Sequence, residues 1–86
     1  MTGSGKFEQA EKEYEKILLI QPQNIIAHSD FGVVLFQQGK FDDAIAHFNE
    51  AIRIDPHYTA AKNNLKLVLT EKQKTQSESK ENTKKK

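Results

Sequence analysis

Three histidines, His28, His47 and His57, are the side chains of this sequence best suited to acid–base chemistry or to holding a metal ion. Helical metal sites need ligands three or four residues apart, and these three fall on three different elements with no His-Glu-x-x-His pattern. Histidines so placed read as structural: His28 packed between helices, His47 and His57 at the surface. His28, Ser29 and Asp30 have the residue types of a nucleophilic triad, but consecutive residues of one helix point apart. Gly3–Lys6 (GSGK) matches only the end of a phosphate-binding loop, without its first glycine or a preceding strand. Cysteine is absent, which removes disulfides, thiolate zinc sites and cysteine nucleophiles together. No catalytic residue, metal, cofactor or small-molecule substrate is therefore expected, and the sequence does not read as an enzyme.

The elements that would position any site come from an 86-residue chain, enough for one small domain. A chain this short buries only about 60% of its unfolded surface. Thirteen Lys/Arg against twelve Asp/Glu give a net charge of +1, but the charge is unevenly spread. Residues 71–86 hold six lysines, three glutamates and no apolar side chain, whereas residues 1–70 hold seven Lys/Arg and nine Asp/Glu. A segment without apolar side chains cannot offset its conformational entropy, so 74–86 is expected to be a disordered Lys-rich tail behind a domain spanning 5–73. Its basic run, Lys84–Lys86, is short and lacks aromatic residues for base stacking, which argues against nucleic acid. No apolar run approaches the roughly 20 residues that span a bilayer, so membrane insertion is not expected. Without cysteine or a signal-peptide core the default location is cytoplasmic. Met1–Ser4 reads as a fusion scar outside the fold.

Shifting the sequence by 34 residues lays Gly5–Pro22 over Gly39–Pro56 without a gap. Gly5, Lys6, Phe7, Ala10, Ile20 and Pro22 meet identical residues at Gly39, Lys40, Phe41, Ala44, Ile54 and Pro56, and Tyr14 falls on Phe48. Within each copy Phe7, Ala10, Tyr14, Ile17, Leu18 and Phe41, Ala44, Ile45, Phe48, Ala51, Ile52 recur every three or four residues, the period of one helical stripe. Pro22 and Pro56 stand just past these stripes, and Gly39 closes the helix between them. Asn24 is the expected N-cap of the second helix, and Thr59 a weaker one for the last. Four helices follow, near 6–20, 25–37, 41–54 and 58–73, joined by loops short enough to force antiparallel neighbours. The second helix is apolar on two faces. Ala27, Phe31, Val34 and Leu35 form one stripe; Ile26, Ser29, Val33, Phe36 and Gln37 form another that must be covered or left as a patch.

Gly32, Ala44, Phe48, Ala51 and Pro56, with Gly39 in the turn, resemble the tetratricopeptide repeat. The resemblance covers one complete repeat, about Ile25–Tyr58, between the second helix of another repeat and a further first helix. It implies an all-α fold, a stack of antiparallel helical hairpins, and a protein–protein interaction function. It also implies that the groove lined by first helices, here Ile26, Ser29, Val33, Phe36, Gln37, Asn63 and Leu67, takes a peptide or helix of a protein partner. Some members hold acidic C-terminal carboxylates with Lys, Arg and Asn on this face. Only Asn63 and neighbouring Asn64 suit that role here, so an apolar or amphipathic segment is the expected ligand. His28 stands where the family often has a large aromatic, and Lys66 where the complete repeat has Gly32, which would block a further second helix. The alternative is self-association: Phe7, Tyr14, Ile17 and Leu18 line a helix without its usual preceding partner, and a homodimer would cover them.

Overall fold

A computed structural model describes the backbone of residues 2–84 and the side chains of residues 5–75. Met1, Lys85 and Lys86, the side chains of residues 2–4 and those of residues 76–84, which hold most of the expected tail, therefore lie outside the described residues. The chain forms α1 (Thr2–Ile20), α2 (Ile25–Gln37), α3 (Phe41–Ile54) and α4 (Thr59–Lys84). Packing follows chain order: α1 on α2, α2 on α3, α3 on α4, with a smaller contact between α2 and α4. This is the expected stack of antiparallel hairpins. The internal ends of the helices fall where proline, glycine and asparagine placed them; the outer ends of α1 and α4 run further than expected.

The 34-residue repeat is visible in individual hydrogen bonds. Gln21 N–H donates to Ile17 O at 2.7 Å and Asn24 N–H to Gln21 O at 3.1 Å. Thirty-four residues later, Asp55 N–H donates to Ala51 O at 2.9 Å and Tyr58 N–H to Asp55 O at 3.0 Å. The two proline turns are thus one structure made twice. Between them, α2 ends in a left-handed glycine: Gly39 has φ +82°, its N–H donates to Phe36 O at 2.9 Å, and Lys40 N–H reaches back to Leu35 O at 2.9 Å. That pair of bonds is a Schellman motif, which satisfies two carbonyls the helix end would leave bare.

Asn24 caps α2 as expected, its Oδ1 accepting from Ala27 N–H at 2.9 Å. The expected cap of α4 is corrected. Thr59 is the first residue of α4 itself, and its hydroxyl donates back to His57 O at 3.4 Å. The turn before it is held instead by Asp55 Oδ1, which accepts from His57 N–H at 3.0 Å. The first backbone bond of α4 starts one residue earlier, with Lys62 N–H donating to the Tyr58 carbonyl at 3.4 Å, which makes Thr59 part of the first turn rather than its cap.

The core gathers Phe31 and Leu35 of α2, Ala44, Phe48 and Ala51 of α3, and Ala61 and Val68 of α4. Phe48 and Val68 are completely enclosed; such side chains contribute about 1.5–3 kcal/mol each by leaving water. Close approach depends on small residues: a Cβ on Gly32 would lie 2.6 Å from the Phe48 ring, so α2 can come this near the ring only with glycine at that position. Lys66 takes the equivalent place on α4 and is exposed, as is Leu69, the equivalent of buried Leu35. Both lie on the side of α4 that no further helix covers.

At its other end α4 runs to Lys84 rather than stopping near residue 73. No proline or glycine interrupts Glu71–Lys84, whose Glu, Lys and Gln are good helix formers. Its last described tie to the rest of the fold is Lys72 Nζ on Asp42 Oδ1 at 2.6 Å.

Candidate functional site

The second stripe of α2 and the matching face of α4 are presented unequally. Ile26 is 61% exposed and Leu67 54%, and Gln37 and Asn63 are exposed beside them. Val33 and Phe36 are half-buried, packed against the edge of the core, with the Phe36 and Phe41 ring centroids 5.7 Å apart. Ser29 departs from its expected place: at 3% exposed it is shut in and offers nothing to a ligand in this conformation. A short side chain stays close to the helix backbone, so larger neighbours overhang it even on a face that meets water.

On α1 the repeat provides an internal standard. Ala44, Phe48 and Ala51 are fully buried on α3, which has helices on two sides. Their counterparts on α1, which touches α2 alone, are half-buried Ala10 and Tyr14 and Ile17 at 37% exposed. Phe7 and Leu18 are half-buried, and Tyr14 stacks on Phe31 with centroids 5.9 Å apart. Of the four residues expected to face a second copy, only Ile17 is exposed, and that by little more than a third. Two others missed by the periodicity are more exposed: Leu19 at 83% and Ile20 at 79%. Leu19 also lines an open depression on the outer face of α1 with Lys12, Glu15 and Lys16. Apolar residues in the last turn before a proline could have flagged them, since nothing downstream was assigned to cover that end.

One of the three histidines departs from its expected place, while His28 is buried as expected. His57 is exposed, but His47 is half-buried, not at the surface, and its ring stacks on Phe31 with centroids 4.3 Å apart. His47 Nδ1 lies 3.1 Å from Nδ1 of buried His28, and His28 Nε2 lies 3.0 Å from the Pro22 carbonyl oxygen. Burial first, and then neighbouring His28, hold the His47 imidazole below the usual histidine value, while Asp43 and Glu50 pull the other way. Burial, with Asp30 and Glu13 nearby, raises the Tyr14 phenol and keeps it neutral. Among the described residues no three His, Asp or Glu side chains converge as a metal site would require. None of the described helices is long and apolar enough to cross a membrane.

Further polar contacts fix the relation of α1 to the rest. Glu11 Oε2 accepts from Gln38 Nε2 and faces Lys40 Nζ at 3.5 Å, tying the middle of α1 to the α2–α3 turn. On the outside of α3, Arg53 pairs with Glu50 within one turn. Such exposed pairs contribute little to stability.

Two stretches of the chain match one family, described as Tetratricopeptide repeat: residues 27–58 and residues 3–24. A 61-residue stretch, 71% of the chain, is 36% identical to a protein of Schizosaccharomyces pombe (strain 972 / ATCC 24843) named DnaJ homolog subfamily C member 7 homolog. The chain spans 13% of the length of that relative.

Proposed function

The chain belongs to the tetratricopeptide repeat family, and from that premise we propose that it holds a peptide or helix of a partner protein against the face shared by α2 and α4. At the coarser level it is a protein–protein interaction module. The family is a non-catalytic repeat scaffold, which supports reading the chain as no enzyme. One observation carries the finer reading: Ile26 and Leu67, large apolar side chains on successive first helices, stand more than half exposed where a folded monomer would be expected to cover them. Val33 and Phe36 continue that face inward, and Gln37 and Asn63 supply polar groups at its rim. Ser29 belongs to the same stripe but would have to be uncovered to take part.

No lysine or arginine accompanies Asn63 among these residues, so the chemistry favours an apolar or amphipathic segment over an acidic free C-terminus. Fluorescence anisotropy with two labelled peptides tests this, one an amphipathic helix former and one ending in acidic residues. The amphipathic probe is expected to bind, and Ile26→Glu with Leu67→Glu to abolish binding at unchanged helicity. Tighter binding of the acidic probe, or unaltered affinity in the double variant, overturns the reading.

A second reading, self-association, rests on α1. Ile17 is open where its counterpart Ala51 is fully buried, and Leu19 and Ile20 stand beside it. A second copy covering this end would supply the helix that α3 has and α1 lacks. Sedimentation at tens of micromolar, with Ile17→Glu as the disrupting variant, separates it from the first. A species of twice 9.8 kDa that reverts to 9.8 kDa in the variant supports it, and a monomer throughout removes it.

A further inference from the structure

The contact joining Pro22, His28 and His47 lies outside both faces just described, and its proton positions follow by elimination. A carbonyl oxygen only accepts, so His28 Nε2 carries the hydrogen that it shares with Pro22 O. The other nitrogen of a neutral imidazole is then bare, so His28 Nδ1 is an acceptor. His47 Nδ1, 3.1 Å away, must therefore be the donor, which leaves His47 Nε2 bare. The result is a directed chain, His47 to His28 to Pro22, that fastens α3 to α2 and both to the α1–α2 turn.

We propose that this chain is an acid-released latch, able to hold one added proton but not two. The first proton goes to His47 Nε2, the bare nitrogen outside the chain, and both hydrogen bonds survive. The second can go only to His28 Nδ1. There it removes the acceptor and sets two N–H groups against each other, on rings with centroids 5.3 Å apart. Asp43 and Glu50 of α3 act on His47 and favour its charged form, and Glu50 also interacts with His28; Asp30 of α2 acts on Tyr14 of α1, which meets the site through the Phe31 ring. No group of α4 is among those acting on His47. None of these groups takes the place of the His28 acceptor. Release would also disturb the stack of His47 on Phe31 and of Phe31 on Tyr14, through which α1 is seated.

The sign of the effect is fixed by which state binds more protons. In the unfolded chain both imidazoles take up a proton near 6.5, about the ordinary value, whereas the folded chain keeps both hydrogen bonds with one added proton and loses one of them with two. The latch therefore contributes its stability above about pH 6.5 and loses it as the pH falls below. Urea unfolding between pH 7.5 and 5, for the wild type and for the double variant His28→Leu, His47→Leu, reads this directly. The wild-type unfolding constant is expected to rise about tenfold per pH unit more steeply than the variant's below pH 6, the slope of one proton. Equal slopes overturn the proposal. Should the variant fail to fold, ring-nitrogen NMR of the wild type at pH 7.5 decides instead. His47 protonated at Nδ1 and His28 at Nε2 supports the latch; both protonated at Nε2, or averaged tautomers, overturns it.

Discussion

Gly32 and Phe48 meet so closely that no side chain fits between them: a Cβ at position 32 would stand 2.6 Å from Cε1 and 2.7 Å from Cζ of the ring. The ring cannot retreat, because Phe48 is fully enclosed by α2, α3 and α4. Gly32→Ala gains about 1 kcal/mol of helix propensity but meets an overpacking cost of about 1–3 kcal/mol. A net loss of up to about 2 kcal/mol is expected on these figures, read as a lower urea midpoint at unchanged slope. A stabilised Gly32→Ala protein would mean that α2 and α3 can separate without cost.

Gly39 loses stability on the same substitution for a different reason. Nothing lies within 4 Å of a Cβ there, so packing is not at issue, but φ is +82°. A left-handed alanine costs about 1–2 kcal/mol. Gly39→Ala should destabilise by about that amount, and Gly39→Asn by less, since asparagine tolerates this conformation. Equal midpoints for Gly39→Ala and Gly39→Asn would show that the turn has another backbone solution.

Residues that pack were legible in the sequence, and residues that meet across a helix crossing were not. Gly32, Ala44, Phe48 and Ala51 announce themselves because close approach admits few residue types and the 34-residue shift repeats their spacing. The turns at Pro22 and Pro56, the glycine stop and the Asn24 cap follow from local backbone chemistry, which needs no knowledge of the rest. The His28–His47 contact is different. It spans nineteen residues and depends on how α2 crosses α3, which periodicity alone does not specify. Ser29 shows the same limit, since helical spacing names its face but not what overhangs it. Past residue 73 two local signals disagree, since the segment has no apolar side chain to pack but holds helix formers without a breaker, and the backbone of α4 follows the second as far as Lys84.

The cap of α2 can be tested alone. Asn24 Oδ1 accepts from Ala27 N–H at 2.9 Å, and its Nδ2 donates to Gln21 Oε1 at 2.8 Å on the exposed turn. Asn24→Ala removes the capping bond and should cost about 1 kcal/mol. For a chain of this size that corresponds to a fall of about 4–8 °C in Tm. Asn24→Asp, which keeps the acceptor, should recover most of the loss. If the aspartate variant melts as low as the alanine variant, the cap is not the source of the effect.

The last prediction concerns residues beyond the packed part of α4. Among the described residues Val68 is the last fully buried side chain, and no apolar residue follows Leu69. Lys72 still reaches Asp42, but that pair is exposed, and such a pair is worth about 0–1 kcal/mol. Past it, among the described side chains, the contacts given are within the helix itself, such as Lys74 with Glu71 at 3.8 Å. Polar helical segments without a packing partner are near balance in water. Deleting residues 76–86 should therefore leave the Tm unchanged, and deleting 71–86 should lower it only slightly, by the loss of Lys72 and of the helix end over Val68. Limited proteolysis of the intact chain should trim it first within 74–86, the stretch the sequence sets apart as a dispensable tail. Amide protection there equal to that around Phe48, or a Tm that falls when only 76–86 is removed, would show that this segment is held by contacts its composition gives no reason to expect.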